Sequence, residues 1–540
     1  MKINLPNYAR TNDTRYWKAH IHWKEGERAC EKVLYPGKIE YCPVQGRDRE
    51  GEPPSRFEKV SLLLDADPEA WKIDVASVNR KQELGEEEGG NRVDCIIKGN
   101  IKGIDFTIDT QLFNVDIGPG YYNVAELYEK PVDPVIRVLD PNPKSIKYYG
   151  VCVAQFPYSR KPKPFTDKLI DFGKPGIASI GITIPKYRCK AEELVKPFKK
   201  DPDYLIKGLG VESVSVPDYK ETSGTLGIQA AYEVLRVLPP EIRKTVGAVF
   251  VGTESPDHKV KGIGTIIQDI LGLGEEAPGT NGRVKLDCTS ITGEFACVPA
   301  WMYLKDAYSR IIAGDCKSVL IVGTDVAAGA PGHALDWDTG AMGSAILVST
   351  YNHILTPLYN DDFNPVQAIS TATSDEADFQ NDDRYPDRLI GAYSLEPFRE
   401  LQTIACKRTL EKLGLTAKDF KVVAPHTPNW TSSYRLMTEL GFDEKNTRYV
   451  LDMVKYIGNC YSAAVTGNLR RGIELMKPGD KSFVSAYGST AGAVAAGFEA
   501  TYLLPKFLEA VVPTQELLFK DTEYAPYITR AFRKDMIIKN

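Results

Sequence analysis

The stretch TSITGEFACVPAWMYLKDAYSRIIAG, residues 289–314, ends a polar loop, sets Cys297 after Phe295 and Ala296, and then becomes a helix-patterned run. Pro299 stands in the first turn, where its missing N–H goes unused, so the helix is expected from Pro299 to Ile312. SVLIVGTDVA (318–327) follows at once and reads as a buried strand. A helix feeding an apolar strand points to an α/β sheet with both faces covered.

The same alternation extends in both directions. IASIGITIP (177–185), GTLGIQAAYEVLRVL (224–238), VGAVFVGT (246–253) and TIIQDILGL (265–273) come before the quoted stretch, and AMGSAILVS (341–349) comes after it. After Tyr351 the pattern resumes with the strand-like ILTPLY (354–359) and a polar insert, TATSDEADFQNDDRYPDR (371–388). A helix FRELQTIACKRTLEKLG (398–414), a strand KVVAPH (421–426), a helix YRLMTELG (434–441) and the apolar SFVSAYGSTAGAVAAGFEATYLL (482–504) complete it. The second half thus repeats the order of elements of the first.

Residues 1–155 have a different texture. Strand-like runs such as VSLLLDA (60–66), VDCIIKGNIKGIDFTIDTQLFNVDIG (93–118) and PVIRVLD (134–140) predict a small, mainly β N-terminal domain. GEEEGGN (85–91) is expected as a solvated loop, and 156–176, with its prolines and lysines, as a linker. The remainder divides into 177–350, 351–505 and a C-terminal tail, 506–540.

Composition narrows the function classes. The 540 residues are 43% hydrophobic and 26% charged, ordinary for globular chains, and 67 Lys+Arg against 72 Asp+Glu give a net charge of -5. Nothing global draws such a chain to nucleic acid or an anionic membrane. MKINLPNYARTNDTRYWKAH has no apolar signal core and no membrane-spanning run occurs, so a cytoplasmic location is expected. Ten cysteines without CxxC pairs read as reduced thiols, and six histidines without a ligand spacing give no expectation of a metal.

Four residues carry candidate chemistry. Cys297 lies at a helix N-terminus, where partial positive charge and backbone N–H groups favour a thiolate, the form that attacks an acyl carbon. The other nine thiols, among them Cys288, Cys316, Cys406 and Cys460, read as small core hydrophobes. His426 in APHTPNW (424–430) stands where an apolar strand ends, the place where α/β sheets present ligand-facing groups. Asn459 in YIGNCYSAAVTGNL (456–469) sits in a turn that opens a helix. Glu254 in VGTESPDHKVKG (251–262) follows a buried strand, where a carboxylate can serve as a general base toward a weakly acidic C–H.

In this order and these contexts, residues 177–505 resemble the 3-hydroxy-3-methylglutaryl-CoA synthases of the thiolase superfamily, especially the archaeal branch. The resemblance rests on IASIGITIPKYR, KGLGVESVSVPD, VGTES, GEFAC, GTDVAAGAPGHAL, the HTPN segment and YIGNCYS. It implies an α/β fold with a duplicated αβαβα layered core. It also implies a condensing enzyme in which Cys297 takes an acyl group, expected to be acetyl, from CoA and Glu254 removes a proton from it. His426 would bind the oxygen of a 3-ketoacyl-CoA acceptor, and water would release the product. Asn459, Ser462, Pro331, Gly488 and Ser489 are expected around this pocket. CoA thioesters are then substrates, and no separate cofactor is expected.

Some positions depart from the family pattern. Pro299 and Trp301 follow the nucleophile where small residues are usual, and that tryptophan is expected to reshape the acyl pocket. His333 takes the place of an acidic residue. Trp430 and Thr431 replace a Gly-Lys pair, which shifts the expected CoA phosphate contacts to Lys259, Lys261 or Arg435. As to partners, the resemblance implies a homodimer, with an acetoacetyl-CoA thiolase or a small CoA-binding companion as further candidates; residues 1–155 could be a fused equivalent of the latter. Two alternatives stand beside this reading. One is a ketoacyl synthase or C-acyltransferase of the superfamily, which needs no Glu254; the other is a non-catalytic acyl-CoA-binding scaffold.

Overall fold

The apolar runs pair into one sheet in the computed structural model of the chain. The structure describes ten strands between residues 3 and 150, then residues 163–530 except 218–220, 258–259, 279–284, 295, 330, 333, 361–363, 375–378, 381–386, 389–391, 446, 490–491, 521 and 528–529. PVIRVLD, most of GEEEGGN, part of the polar insert, Lys259 and His333 lie outside the described residues. The chain falls into two compact units, Met1–Phe156 and Pro157–Asn540.

The first unit contains an antiparallel meander of Pro36–Pro43, Phe57–Leu64, Lys72–Lys81, Asn91–Ile101 and Ile104–Asn114. Ala19–Glu25 and Arg28–Leu34 form a hairpin, and Tyr121–Ala125 pairs with both Ile3–Asn4 and Tyr148–Gly150.

The second unit repeats itself. Its first half runs β1 (Asp171–Thr183), α1 (Ser223–Arg236), β2 (Val246–Thr253), α2 (Ile263–Leu271), β3 (Thr289–Glu294), α3 (Pro299–Ile312), β4 (Ser318–Val326) and β5 (Ala341–Tyr351). The other half runs β6 (Leu355–Pro357), α4 (Ala392–Leu413), β7 (Val422–Pro425), α5 (Trp430–Glu439), β8 (Arg448–Tyr449), α6 (Ala464–Ile473), β9 (Lys481–Gly488) and β10 (Gly492–Ala500). The strand order is β3-β2-β4-β5-β1-β6-β10-β9-β7-β8, with Ser370–Ala372 pairing on β10. On each side four strands run the same way and one, β5 or β10, runs against them, and the halves meet where Ile177 of β1 opposes Leu355 of β6. Equivalent elements are therefore related by an approximate two-fold axis through the middle of the sheet.

The layers follow from which faces are apolar. α1 begins with a Thr222–Thr225 capping box and packs on β5, β1 and β4. α4 covers β10 and β9 on the far side. Between the two half-sheets lie α3, against β4 and β2, and α6, which touches β7 and β9 as well as β1 and β5. The result is the five-layer α/β core of the thiolase fold.

Trp301 corrects one expectation. Its side chain is 1% exposed; it donates from Nε1 to Thr466 Oγ1 on α6 (3.2 Å) and meets Phe498 of β10 edge-on at 6.4 Å. The indole thus joins the two halves in the middle layer, and Trp301 is not among the residues that line the pocket around Cys297.

The segment 163–170 runs against the core: Lys163 and Phe165 donate backbone N–H bonds to Arg236 and Val237, and Phe165 packs edge-on against Phe507. Past β10 come helices Leu504–Ala510 and Thr514–Phe519 and the strand Glu523–Tyr524, which joins Tyr187–Lys190 in parallel. No helix among the described residues is long and apolar enough to cross a membrane.

Truncating the inter-half tryptophan, Trp301→Ala, should lower the unfolding free energy by about 3–5 kcal/mol. Trp301→Phe, which loses the indole hydrogen bond and keeps most of the ring, should cost about 1 kcal/mol. Urea titration checks both.

Candidate active site

The two-fold relation places the four candidate residues in two equivalent pairs. Glu254 follows β2 and His426 follows β7; Cys297 precedes α3 and Asn459 precedes α6. All four, with Ser489 after β9, line one pocket whose remaining wall is Leu335, Phe398, Pro428, Tyr461 and Tyr487. The cavity has a volume of about 20 Å³, roughly the space of one water.

Cys297 is 6% exposed and adopts a left-handed backbone, φ 40°. Such a conformation costs about 1–3 kcal/mol and persists only where its surroundings impose it. Here the Glu254 carboxylate accepts the Cys297 backbone N–H, and Ala327 and Tyr461 pack against the residue. Tyr461 is itself left-handed, φ 46°, so two non-glycine outliers adjoin in one site. Val298 caps α3 without a side-chain hydrogen bond, leaving the helix N-terminus favourable to negative charge on the residue before it. Gly488 lies directly beneath: a Cβ there would collide with the carbonyl oxygen of Ala296, which only glycine avoids.

The Glu254 loop hangs on a buried carboxylate. Asp325, fully buried at the end of β4, accepts on Oδ1 from Thr253 Oγ1 (3.0 Å), Glu254 N (2.7 Å), Ser255 N (3.1 Å) and Ser255 Oγ (2.7 Å). Its Oδ2 accepts from Ser462 N at 2.9 Å, which ties that loop to the turn after Asn459. Burial outweighs these donors and pushes the Asp325 carboxyl up to about 6. Farther along the loop, Asp257 accepts from Thr222 Oγ1 (2.8 Å) and Gly224 N (2.9 Å) at the start of α1, and burial likewise pushes it up to about 6.

His426, 2% exposed, donates its backbone N–H to Ser485 O (2.6 Å) and accepts from Ser433 Oγ (2.8 Å) at its carbonyl. Asn468 of α6 donates from Nδ2 to Pro425 O and Thr427 Oγ1, gripping the chain on both sides of the histidine. Asn459, 5% exposed, donates its N–H to Asp338 O (2.6 Å) and accepts Gly340 N–H (2.9 Å). Its Oδ1 accepts from Tyr461 N at 3.0 Å.

Several expected pocket residues lie elsewhere. Ser462 is fully buried behind the pocket, where its backbone serves Asp325; Gly488 underlies Cys297, with only its neighbour Ser489 reaching the lining. Pro331 is half-buried in the loop before the short helix Ala334–Asp338, and Leu335 lines the pocket in its place. Lys261, just ahead of α2, is half-buried, which lowers its pKa; Arg435 is on the exposed side of α5. Neither lines the pocket. Burial pushes the Cys406 thiol up to about 12 and Cys288 up to about 11, which keeps them protonated and inert.

Asp325 was the residue with a legible signal that sequence reading passed over: a lone carboxylate inside the apolar strand SVLIVGTDVA is too costly to bury without a task. Tyr461, Tyr487, Phe398 and Leu335 carried no comparable signal.

No family model matches the chain. The hydroxymethylglutaryl-CoA synthase of Methanococcus vannielii is 34% identical over 362 residues, covering 65% of this chain and 97% of the relative. That of Methanocaldococcus jannaschii is 32% identical, covering 66% and 98%. Among solved structures, MvaS in complex with 3-hydroxy-3-methylglutaryl coenzyme A superposes with a TM-score of 0.56 at 19% identity, over 68% of this chain and 93% of that one.

The Asp325 carboxyl gives a pH signature. Its folded pKa, about 6, is above the ordinary 3.8, so its contribution to stability is full below about pH 4 and is lost as pH rises through 6. Wild-type stability relative to Asp325→Asn should therefore fall by about 2 kcal/mol between pH 4 and pH 7, read from urea midpoints at each pH.

Proposed function

The chain belongs to the hydroxymethylglutaryl-CoA synthase family of the thiolase superfamily, and from that premise we propose that its pocket joins an acetyl unit held on Cys297 to the ketone of a 3-ketoacyl-CoA. It is a condensing acyltransferase working on acyl-CoA thioesters; the roles of individual residues are our reading. The Cys297 thiolate attacks the thioester carbonyl of acetyl-CoA, a thioester forms on the enzyme, and CoA leaves as its thiolate, which takes a proton from water. Glu254 takes a proton from the acetyl methyl. The resulting enolate carbon attacks C3 of the acceptor, and His426 supports and protonates the oxygen that becomes a hydroxyl. Asn459 and Ser489 supply further polar groups to the wall. Water then cleaves the Cys297 thioester to a carboxylate, restoring the thiol.

The observation that carries this reading is the presence of Glu254 in the same pocket as Cys297, His426 and Asn459, with its carboxylate on the nucleophile's own backbone N–H. A ketoacyl synthase would use the cysteine, histidine and asparagine without a carboxylate. We further propose a two-fold dimer through β3. It is the last strand of the sheet, it pairs only with β2 among the described residues, and Ile291 on it is 41% exposed.

Incubation with acetyl-CoA followed by intact-mass measurement should show one acetyl adduct, absent in Cys297→Ala. Glu254→Ala should keep the adduct yet lose carbon–carbon bond formation with acetoacetyl-CoA by about 10²–10⁴-fold. A Glu254→Ala variant that condenses at the wild-type rate would falsify the synthase assignment in favour of a ketoacyl synthase.

A further inference from the structure

The chain after residue 520 returns to the core and ends its described part in a buried cation. Arg530 is 0% exposed, as are Asp336 and Thr339 around it. Its guanidinium donates to the Asp336 carboxylate and backbone carbonyl, and to Thr339 O (3.3 Å) and Thr339 Oγ1 (3.1 Å). Tyr527 donates its hydroxyl to the second oxygen of the same carboxylate at 2.7 Å, and Gly332 N donates there at 2.9 Å. One arginine thus grips both ends of the turn 336–339, and one carboxylate gathers the loop before it.

That turn is one wall of the active site. Leu335 faces the pocket; Asp338 O and Gly340 N hold the backbone of Asn459 between them; Thr339 bridges to Asn459 in parallel. A guanidinium pairs with a carboxylate in fixed directions, whereas apolar packing alone allows a short turn to shift. Resting on the reading above, we propose that Arg530 is a positioning residue: the C-terminal segment latches the 335–340 turn and thereby sets where Asn459 and Leu335 stand against the acyl group on Cys297. The segment is held for this purpose by strand Glu523–Tyr524 on Tyr187–Lys190 and by Tyr527, which packs edge-on against Phe198.

The test uses the full-length chain. Arg530→Met should accelerate amide hydrogen exchange at residues 459–462 and lower kcat for acetyl-CoA plus acetoacetyl-CoA about 10-fold or more, with KM changed less than about two-fold. Arg530→Lys should recover part of the loss, because an ammonium reaches Asp336 but cannot span to Thr339. In an Asn459→Ala background the same Arg530→Met change should cost less than about two-fold, since the group it positions is gone. If Arg530→Met does not fold, the pair Asp336→Leu/Arg530→Met removes both buried charges together and takes its place. Additive losses in the Asn459→Ala background, or unchanged exchange at 459–462, overturn the latch. Absence of turnover in the wild-type chain would instead overturn the reaction proposed above, while the exchange measurement still decides the latch.

Discussion

Everything in the site turns on one carboxylate kept out of water. Asp325 ends a strand that is otherwise apolar, and its two oxygens are saturated by donors from the Glu254 loop on one side and the Ser462 turn on the other. A buried anion with unmet hydrogen bonds would be expelled or neutralised, so the two loops have little freedom to leave it. Since one loop belongs to the first half and the other turn to the second, the same group that fixes the candidate base also fixes it relative to Asn459. The strained backbone at Cys297 and Tyr461 is sustained by this arrangement.

Much of this was legible in the sequence because it follows from burial. Strands β2, β4, β5 and β9 are apolar runs with no other fate, and α3 announces itself through Pro299 and the spacing of Ala300, Leu304, Ala307, Tyr308 and Ile311, all on its buried face. The order of elements disclosed the repeat even though the halves differ in their residues. Glu254, Cys297, His426 and Asn459 were visible because each ends a strand or opens a helix, the only places from which both halves can reach a common centre.

What stayed hidden depends on distant partners. The orientation of Trp301 requires knowing that α6 and β10 lie across from α3. Lys261 and Arg435 are cationic and near a landmark, but their place relative to the pocket, whose lining includes neither, depends on the packing of α2 and α5. Nothing in the local pattern around Arg530 distinguishes it from the other basic residues of an exposed-looking tail. Its significance appears only once Asp336, nearly two hundred residues earlier, is found buried against it.

The approximate two-fold axis has a consequence for how such a site can change over evolutionary time. Corresponding posts in the two halves carry different side chains, a carboxylate opposite an imidazole and a thiol opposite an amide, so the halves have become specialists. In the proposed reaction neither owns a complete centre, and each constrains the other's drift: a substitution tolerated by the packing of one half must still leave its group aimed across the axis. Cutting the chain between Tyr351 and Leu355 would therefore leave each fragment with only half of the groups that line the pocket.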